Sequence, residues 1–430
     1  MPPKPAPGDR VEVKTKGNSY VGILMPKTPL LESGRMTLKL DSGYNIGIKE
    51  DDIVTVTLIS KLEGSKPKKE VTPRHDSSKR TVAILSTGGT ISSKIDYRTG
   101  GVYASYTAAD LLETMPELES LANLKTRSLM NVMSEDMNPS LWLQMASEIA
   151  KELNSGADGV VVTHGTDTMH FSTAAMSFLL PNIQKPVVFT GSQRSSDRGS
   201  ADSFLNLICS TAVASSDAAG VFLVMHGSIS DEFCYAHLGT KVRKMHTSRR
   251  DAFRSINAEP VAKVLPDGKI EPLGDVRKRG DGKVQTDLKF DDRVALVKAY
   301  PGVDPAIIDF YVDRKYNGIV LEGTALGHVP TEGRGSLLPG LKKALDRGIA
   351  IAMTTQCLYG RVHPHVYTNL RKLSSMGVIY CEDMLPETAY VKLGWVLGHS
   401  KDHDMVKDMM LTSYSGEITE RSEPDAKVGL

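Results

Sequence analysis

The sequence predicts two α/β domains with parallel sheets, preceded by a small SH3-like β-barrel. Three observations lead to this fold class. Short strand-like stretches separated by turn signals fill residues 8–60. From residue 81 onward, near-continuous apolar strands alternate with amphipathic helices, which is typical of a parallel sheet covered on both faces. A second series of the same kind begins near residue 293, so the chain of 430 residues is expected to hold several cores.

The first sixty residues carry five short stretches of strand-forming residues. Gly17, Gly34 and Gly43, each beside Asn or Ser, fall between them as turn signals. Strands this short and closely spaced are typical of a small barrel. We therefore assign residues 1–60 to an SH3-like module, which has room to bind a ligand but shows no catalytic cluster. The five stretches are 11–13, 20–25, 36–40, 46–48 and 53–58.

Residues 61–80 lose all periodicity. Seven basic residues against three acidic ones leave this stretch at +4, and it has little apolar surface to bury. We interpret it as a linker. Its charge would suit contact with RNA or with an acidic partner, but a solvated tether is the simpler interpretation.

The two α/β domains are placed at residues 81–280 and 281–430. Residues 255–292, which are rich in Gly, Pro, Asp and Lys, resemble an interdomain connection. The larger domain has predicted strands at 81–87, 159–163, 186–190 and 220–225, with helices at 108–121, 139–153, 168–180 and 200–215. The smaller domain has predicted strands at 294–298, 318–321, 349–354 and 378–381, with helices at 304–316, 336–347 and 390–397.

Composition limits the possible classes of function. The formal net charge is +1, so the chain as a whole is not a strongly basic nucleic-acid binder. The four cysteines are scattered without the spacing of a zinc site, so we predict no metal and expect mostly buried thiols in a reducing compartment. No apolar run approaches the length of a membrane-spanning helix, so we expect a soluble, cytoplasmic protein.

The loop after the first α/β strand is unusual. It reads STGGTI at residues 86–91, where paired glycines let the backbone turn sharply between hydroxyl side chains. The loop lacks the pattern of a phosphate-binding loop. In parallel sheets, ligands bind at the carboxyl ends of strands. The pattern alone leaves a catalytic loop and a plain tight turn equally open.

A second polar loop, THGTDTM, follows the next strand at residues 163–169. Asp167 and its neighbouring threonines would serve equally well as caps for the helix that follows. A hydroxyl nucleophile needs a nearby base, however, and this loop offers Thr166 and Asp167. Lys244 could act as that base, although its place in a basic run also suits a surface cation.

The segment LSTGGTI at residues 85–91 resembles the first signature of type I asparaginases, and VTHGTDTM at residues 162–169 resembles the second. The likeness continues through NVMSEDMN at residues 131–138, Lys244 and KLGWVLGH at residues 392–399, and covers roughly residues 80–420. It implies that both α/β domains are of the asparaginase type and that the chain is a threonine-dependent amidohydrolase.

The resemblance implies a two-step displacement. Thr90 would attack the side-chain amide of glutamine or asparagine, ammonia would leave, and water would then hydrolyse the acyl-enzyme. Thr166, Asp167 and Lys244 would form a relay of hydroxyl, carboxylate and amine at the same centre. Two points stay open: whether Thr90 or Thr166 supplies the attacking oxygen, and whether glutamine or asparagine is preferred.

In this family a tyrosine on the loop after the first threonine assists deprotonation. Tyr103 is the best match, and Tyr97 and Tyr106 are alternatives. Four further residues would hold the substrate. These are Ser134, Glu135, Gly89 and Gly165. The first two would take its α-carboxylate and α-amino groups, and backbone N–H groups of the glycine loops would face the oxyanion.

Three features depart from simple asparaginases: the N-terminal prefix, the loop GSQRSSDR at residues 191–198, and GTALGHVP at residues 323–330. Together they resemble the asparaginase-like subunits of archaeal tRNA-dependent amidotransferases. This resemblance implies that the chain supplies ammonia to a partner subunit, which binds tRNA and uses ATP and Mg²⁺ to convert Glu-tRNA(Gln) to Gln-tRNA(Gln). The chain itself would need no cofactor, and would act as a homodimer within a heterotetramer. The alternative is a free-standing cytosolic asparaginase or glutaminase.

Overall fold

The structure is a computed structural model. It describes residues 5–26, 34–42, 44–61, 75–88, 115–194 and 200–422, together with the backbone of residues 93–95 and 102–104. Within these ranges the chain forms a small antiparallel β domain followed by two α/β domains. The predicted fold class is confirmed.

The N-terminal domain is a five-stranded antiparallel sheet in the order β4-β3-β2-β1-β5. Alternate residues of β1 are buried, as expected for a strand with one face against a core. Val11 and Val13 of β1 meet Leu38 and Ile48 from the opposite side of that core. The strands are β1 (Arg10–Thr15), β2 (Ser19–Leu24), β3 (Arg35–Leu40), β4 (Asn45–Lys49) and β5 (Ile53–Ser60).

The larger α/β domain is built on an eight-stranded mixed sheet. Five strands are parallel, in the order β12-β11-β10-β6-β9, and three antiparallel strands extend the β12 edge. Every residue of β10 and β11 is buried, which explains their uninterrupted apolar sequences. The sheet strands are β6 (Thr81–Ser86), β9 (Asn123–Ser128), β10 (Gly159–Thr163), β11 (Pro186–Thr190), β12 (Gly220–His226), β13 (Cys234–Leu238), β16 (Ala262–Val264) and β17 (Ile270–Pro272).

Two short ribbons lie outside this sheet. One pairs β7 (Ser93–Ile95) with β8 (Val102–Ala104), and the other pairs β14 (Val242–Lys244) with β15 (Phe253–Ser255). The helices of the domain are α1 (Glu117–Leu121), α2 (Pro139–Asn154), α3 (Met169–Leu179) and α4 (Ser203–Ala214). The Asn138 side chain caps α2 by accepting a hydrogen bond from the N–H of Leu141.

The smaller α/β domain is a four-stranded parallel sheet in the order β18-β19-β20-β21. Its strands are β18 (Val294–Lys298), β19 (Gly318–Gly323), β20 (Ala350–Thr355) and β21 (Ile379–Tyr380). Its helices are α5 (Ala306–Asp313), α6 (Leu338–Asp346), α7 (Thr368–Ser375), α8 (Pro386–His399) and α9 (His403–Leu411). Helix α8 packs between α3 of the larger domain and the strands of the smaller sheet, and its Trp395 stacks on Phe178 of α3.

Most predicted elements are confirmed to within two residues at each end. Three differences matter. The helix expected at 108–121 is observed only as α1, and residues 105–114 lie outside the described ranges. Helix α5 is shorter than expected, and α8 begins at Pro386 rather than at residue 390. Strands β7–β9 and β13–β17 and helices α7 and α9 were not predicted; most of these strands have only three residues, too few to show a periodicity.

Buried polar contacts join the two α/β domains. Lys241 and Asp383 form an ion pair in which both side chains are only 1% exposed. Asn257 donates to the carbonyl oxygens of Gly360 and Asp383, and accepts from the N–H of Gly360. Because Lys241 and Asn257 flank the β14–β15 ribbon, the smaller domain holds the base of that ribbon.

The described part of the chain contains no helix that is long and apolar enough to span a bilayer. All four cysteines are free thiols. Cys209, Cys234 and Cys381 are buried, as expected. Cys357 is exposed, which corrects the expectation for that residue: it lies in a loop after β20 rather than within the sheet.

Three buried histidines predict acid sensitivity of the fold. Burial lowers the pKa of His164 to about 4, and those of His170 and His237 to about 3. In the unfolded chain a histidine binds its proton near pH 6.5, so below that pH protons favour the unfolded state. We expect the free energy of unfolding to fall between about pH 6.5 and 4, by up to roughly 1.4 kcal/mol per pH unit for each histidine.

Thermal denaturation across that window measures the effect. The melting temperature should decline steadily as the pH falls, and His237→Gln should make the decline less steep. A melting temperature that stays constant down to about pH 4 would contradict this prediction.

Candidate active site

The sheet places the two polar loops side by side. Strands β6 and β10 are parallel neighbours whose last residues, Ser86 and Thr163, are in register. The N–H and the hydroxyl of Thr87 both donate to the carbonyl oxygen of Thr163, each over 3.0 Å. The segments that leave these strands therefore start together at the carboxyl edge of the sheet, where parallel sheets bind ligands.

A buried histidine fixes the start of the second loop. His164 donates from Nδ1 to the carbonyl oxygen of Gly165 over 2.7 Å, because that oxygen can only accept. Its Nε2 then accepts from the hydroxyl of Ser172 over 3.0 Å, and Ser172 accepts from the indole of Trp142. With its pKa lowered to about 4 by burial, His164 is neutral near pH 7 and orients the loop without contributing charge.

Glycines allow the loops to approach each other closely. Gly88 has a φ of 109°, and a Cβ there would lie 2.9 Å from the carbonyl oxygen of Val132. A Cβ on Gly165 would lie 2.8 Å from the Cβ of Ser134, and one on Gly191 would lie 2.8 Å from Cγ2 of Thr166. Any larger side chain at these positions would push the loops apart.

Lys244 joins the second loop from the β14–β15 ribbon. Its Nζ donates to Oγ1 of Thr166 over 2.9 Å and to Oδ1 of Asp167 over 2.6 Å. The lysine side chain is 9% exposed and that of Asp167 is 68% exposed, so the set is open to solvent on the carboxylate side. A largely buried lysine side chain with two specific acceptors favours the predicted role of Lys244 over that of a surface cation.

The polar side chains of the second loop do not cap helix α3. Helix α3 begins after Thr168, which makes no side-chain capping bond to the helix. The Thr168 hydroxyl donates instead to the carbonyl oxygen of Ser134 over 2.6 Å. Asp167 pairs with Lys244. The polar side chains of this loop therefore bind neighbouring segments rather than the helix end.

The predicted substrate-binding residues lie beside the loop. Ser134 begins a short 3-10 turn and is buried against Gly165, whereas Glu135, the next residue, is exposed. Glu135 therefore presents its carboxylate to solvent next to the buried Ser134. This arrangement would let a small polar substrate reach both, and their role in binding stays a prediction.

Several predicted site residues fall outside the described structure. Thr90 and Gly89 follow Gly88 directly but are not among the described residues. Only the backbone of Tyr103 is described, within β8, and Tyr97 and Tyr106 are not described. The nucleophile and the loop tyrosine therefore stay predictions. Within the ranges given above, no group of three or more His, Cys, Asp or Glu side chains could hold a metal ion.

Residues that the sequence did not indicate surround Lys244. Nε of Arg243 lies 3.1 Å from Oε1 of Glu387, and Nε2 of His170 lies 4.0 Å from the same oxygen. Glu387 belongs to the first turn of α8 in the smaller domain. Only the docking of the two domains brings these side chains together, so no local pattern could have indicated them.

Comparison with known protein families assigns each part of the chain. Residues 81–275 match the family model described as "Asparaginase, N-terminal", and residues 293–410 match "Glutaminase/Asparaginase C-terminal domain". Residues 6–59 match "GatD N-terminal domain". The match to the third model distinguishes this chain from relatives that consist of the two α/β domains alone.

The relatives agree over nearly the whole chain. The D subunit of the glutamyl-tRNA(Gln) amidotransferase of Pyrococcus furiosus is 54% identical, over 97% of this chain and 93% of its own. The same protein of Methanothermobacter thermautotrophicus is 47% identical, over 96% and 94%. The solved thermostable L-asparaginase from Thermococcus kodakarensis is 32% identical with a TM-score of 0.70, covering 79% of this chain and 99% of its own. The chain therefore belongs to the family of glutamyl-tRNA(Gln) amidotransferase D subunits.

Proposed function

We propose that this chain is the glutaminase subunit of a tRNA-dependent amidotransferase. It hydrolyses the side-chain amide of glutamine and supplies ammonia to a partner subunit that amidates Glu-tRNA(Gln). The observation that carries the hydrolytic half is the contact of Lys244 with Thr166 and Asp167 at the carboxyl edge of the larger sheet. The coupled half rests on similarity to amidotransferase D subunits that extends through the N-terminal domain.

In this proposal the attacking hydroxyl belongs to Thr90 or to Thr166. One hydroxyl attacks the amide carbonyl, an ester forms, and the proton of the attacking hydroxyl leaves with ammonia. Water then cleaves the ester and releases glutamate. Lys244 and Asp167 move the proton at Thr166, and Tyr103 assists Thr90. Ser134 and Glu135 hold the α-carboxylate and α-amino groups, while backbone N–H groups near Gly89 and Gly165 stabilise the oxyanion.

The division of labour between subunits belongs to the same proposal. The partner binds tRNA and uses ATP and Mg²⁺ to activate the glutamate. This chain needs no cofactor of its own, and forms a homodimer within a heterotetramer in the cytoplasm.

Ammonia release by the purified chain tests the coupling. We expect slow release from glutamine by the chain alone and faster release, at least about tenfold, when the partner and Glu-tRNA(Gln) are added, because assembly completes the site. The rates are measured with a coupled ammonia assay at saturating glutamine.

The free-standing alternative makes the opposite prediction. Full turnover without partner or tRNA would favour a free asparaginase or glutaminase and would contradict the coupled function. Removing residues 1–80 is the matching test: it should impair assembly or coupling in an amidotransferase, but leave the activity of a free enzyme intact.

A further inference from the structure

The smaller domain contributes charge to the surroundings of Lys244. Glu387 is 7% exposed and its carboxylate lies against Arg243, the residue next to Lys244 in β14. Successive side chains of a strand point in opposite directions. Lys244 therefore turns toward Thr166, while Arg243 turns toward α8. One short strand thus connects the candidate catalytic lysine with an acidic residue of the other domain.

The contact is buried and incompletely hydrogen-bonded. Oε2 of Glu387 and Nδ1 of His170 are both buried, with no hydrogen-bond partner among the described residues. Burying a carboxylate with one oxygen unpaired is costly, so structural stability alone does not account for it. Such groups recur at functional sites, where a fixed charge is worth the loss of stability.

Burial favours the neutral form of both the basic and the acidic groups near Lys244. Burial, with the positive charges of Arg243 and Lys244, lowers the pKa of His170 to about 3, so this histidine is neutral near pH 7. Burial raises the pKa of Glu322, with Lys298 opposing and Glu387 adding to the shift. Asp167 pairs with Lys244, and His170, Arg243 and Glu387 lie together behind it. Arg254 of β15 lies opposite Arg243 and pairs with Asp251. Glu322, which pairs with Lys298, interacts with both Arg243 and Glu387.

We propose that Glu387 is a positioning residue for Lys244: it binds Arg243 on the opposite side of β14 from Thr166 and balances its positive charge. This inference rests on the proposed function, because it concerns the proton that Lys244 exchanges with Thr166. Without Glu387, Arg243 keeps the Glu322 carboxylate as a counter-charge but loses its ion pair, so more of its positive charge acts against a proton at the site. Without Arg243, the uncompensated carboxylate would attract one.

Opposite shifts in the pH profile are the test. We measure kcat for glutamine hydrolysis by the assembled complex with Glu-tRNA(Gln), between about pH 6 and 10, in Glu387→Gln, Arg243→Gln and the double variant. The limb of the profile in which the site loses a proton should move to lower pH by about 0.5–1 unit in Glu387→Gln, and to higher pH in Arg243→Gln. The double variant should lie near the wild-type position, because both charges are gone.

A matched control separates charge from damage to the smaller domain. Glu382→Gln removes a carboxylate of the same domain that pairs with Arg361 over 3.2 Å, outside the group of charges around Lys244. Its pH profile should coincide with that of the wild type. If Glu387→Gln does not fold, the shift in Arg243→Gln and its reversal in the double variant decide the question alone.

The outcomes that count against the inference differ from those that count against the function. The positioning role alone would be overturned if the wild-type complex turns over normally but the pH profiles of the two single variants do not shift. Shifts of the same sign in both single variants would also overturn it. A wild-type complex that does not hydrolyse glutamine would overturn the proposed function itself.

Discussion

Replacing Lys244 with methionine is expected to lower glutamine hydrolysis by about 10³-fold, near the middle of the range for loss of a group that transfers protons. Nζ of Lys244 donates to the Thr166 hydroxyl and the Asp167 carboxylate at once. Methionine is similar in length to lysine but can neither donate nor accept a proton. Single-turnover and steady-state assays of the assembled complex measure the loss, which should appear in kcat.

Two control experiments accompany Lys244→Met. Lys269→Met removes an exposed lysine that pairs with Glu271, and its turnover should match that of the wild type. Amidation with added ammonium chloride should continue in Lys244→Met, because the partner subunit then needs no hydrolysis. A Lys244→Met complex that hydrolyses glutamine within about twofold of the wild type would remove Lys244 from the reaction.

The stability of the fold should be little affected by the same change. Asp167 keeps 68% of its side chain exposed, so the carboxylate that loses its partner is still solvated. The Thr166 hydroxyl loses the hydrogen bond that Lys244 donates to it. A solvated partner of a lost ion pair costs about 1 kcal/mol or less. A loss of activity without a loss of folding would therefore identify a chemical role.

The parallel core was predictable because its strands are buried on both faces. Strands β10, β11 and β18 were predicted with the bounds that they have in the structure, since an uninterrupted apolar run between turn residues has few alternatives. Helix α8 was harder to place. Eleven of its fourteen residues are buried, so its sequence lacks the polar face that marks the start of an amphipathic helix.

The site could be predicted only in part, for a similar reason. Thr166 and Asp167 stand out locally because polar side chains crowd into the end of a buried strand. Lys244 is 78 positions from Thr166 and looks like one member of a basic run, so family resemblance alone indicated it. Glu387 and His170 had no signal of either kind. Their surroundings depend on how the two domains pack against each other, which local periodicity does not encode.

The closing motif KLGWVLGH has a structural explanation in Lys392. This lysine is fully buried, and its ammonium donates to the carbonyl oxygens of Met410 and Thr412 and pairs with Oε1 of Glu417 over 2.6 Å. All three of its N–H donors are thus used. Burial lowers the pKa of Lys392, and Glu417 opposes that shift. The C-terminal segment 412–419 is held in place around this one charge.

Replacing Glu417 with glutamine is expected to lower the free energy of unfolding by about 3 kcal/mol, because it leaves a buried lysine without its counter-charge. The amide also loses an acceptor: Glu417 accepts from the N–H groups of Tyr414 and Ser415. Chemical denaturation of the purified chain measures the change. Glu332→Gln removes the exposed partner of Lys372, and this control should cost less than about 0.5 kcal/mol.

The double variant Lys392→Met/Glu417→Gln tests whether Glu417 stabilises the fold through its ion pair with Lys392. Removing both charges eliminates the uncompensated ammonium, so the double variant should be more stable than Glu417→Gln alone. Equal stability of the two variants would mean that Glu417 acts through its backbone contacts and not through Lys392. The C-terminal segment also carries Thr419, which donates to Asp383 of the Lys241 ion pair. Loosening this segment should therefore weaken the hold of the smaller domain on the ribbon that carries Lys244.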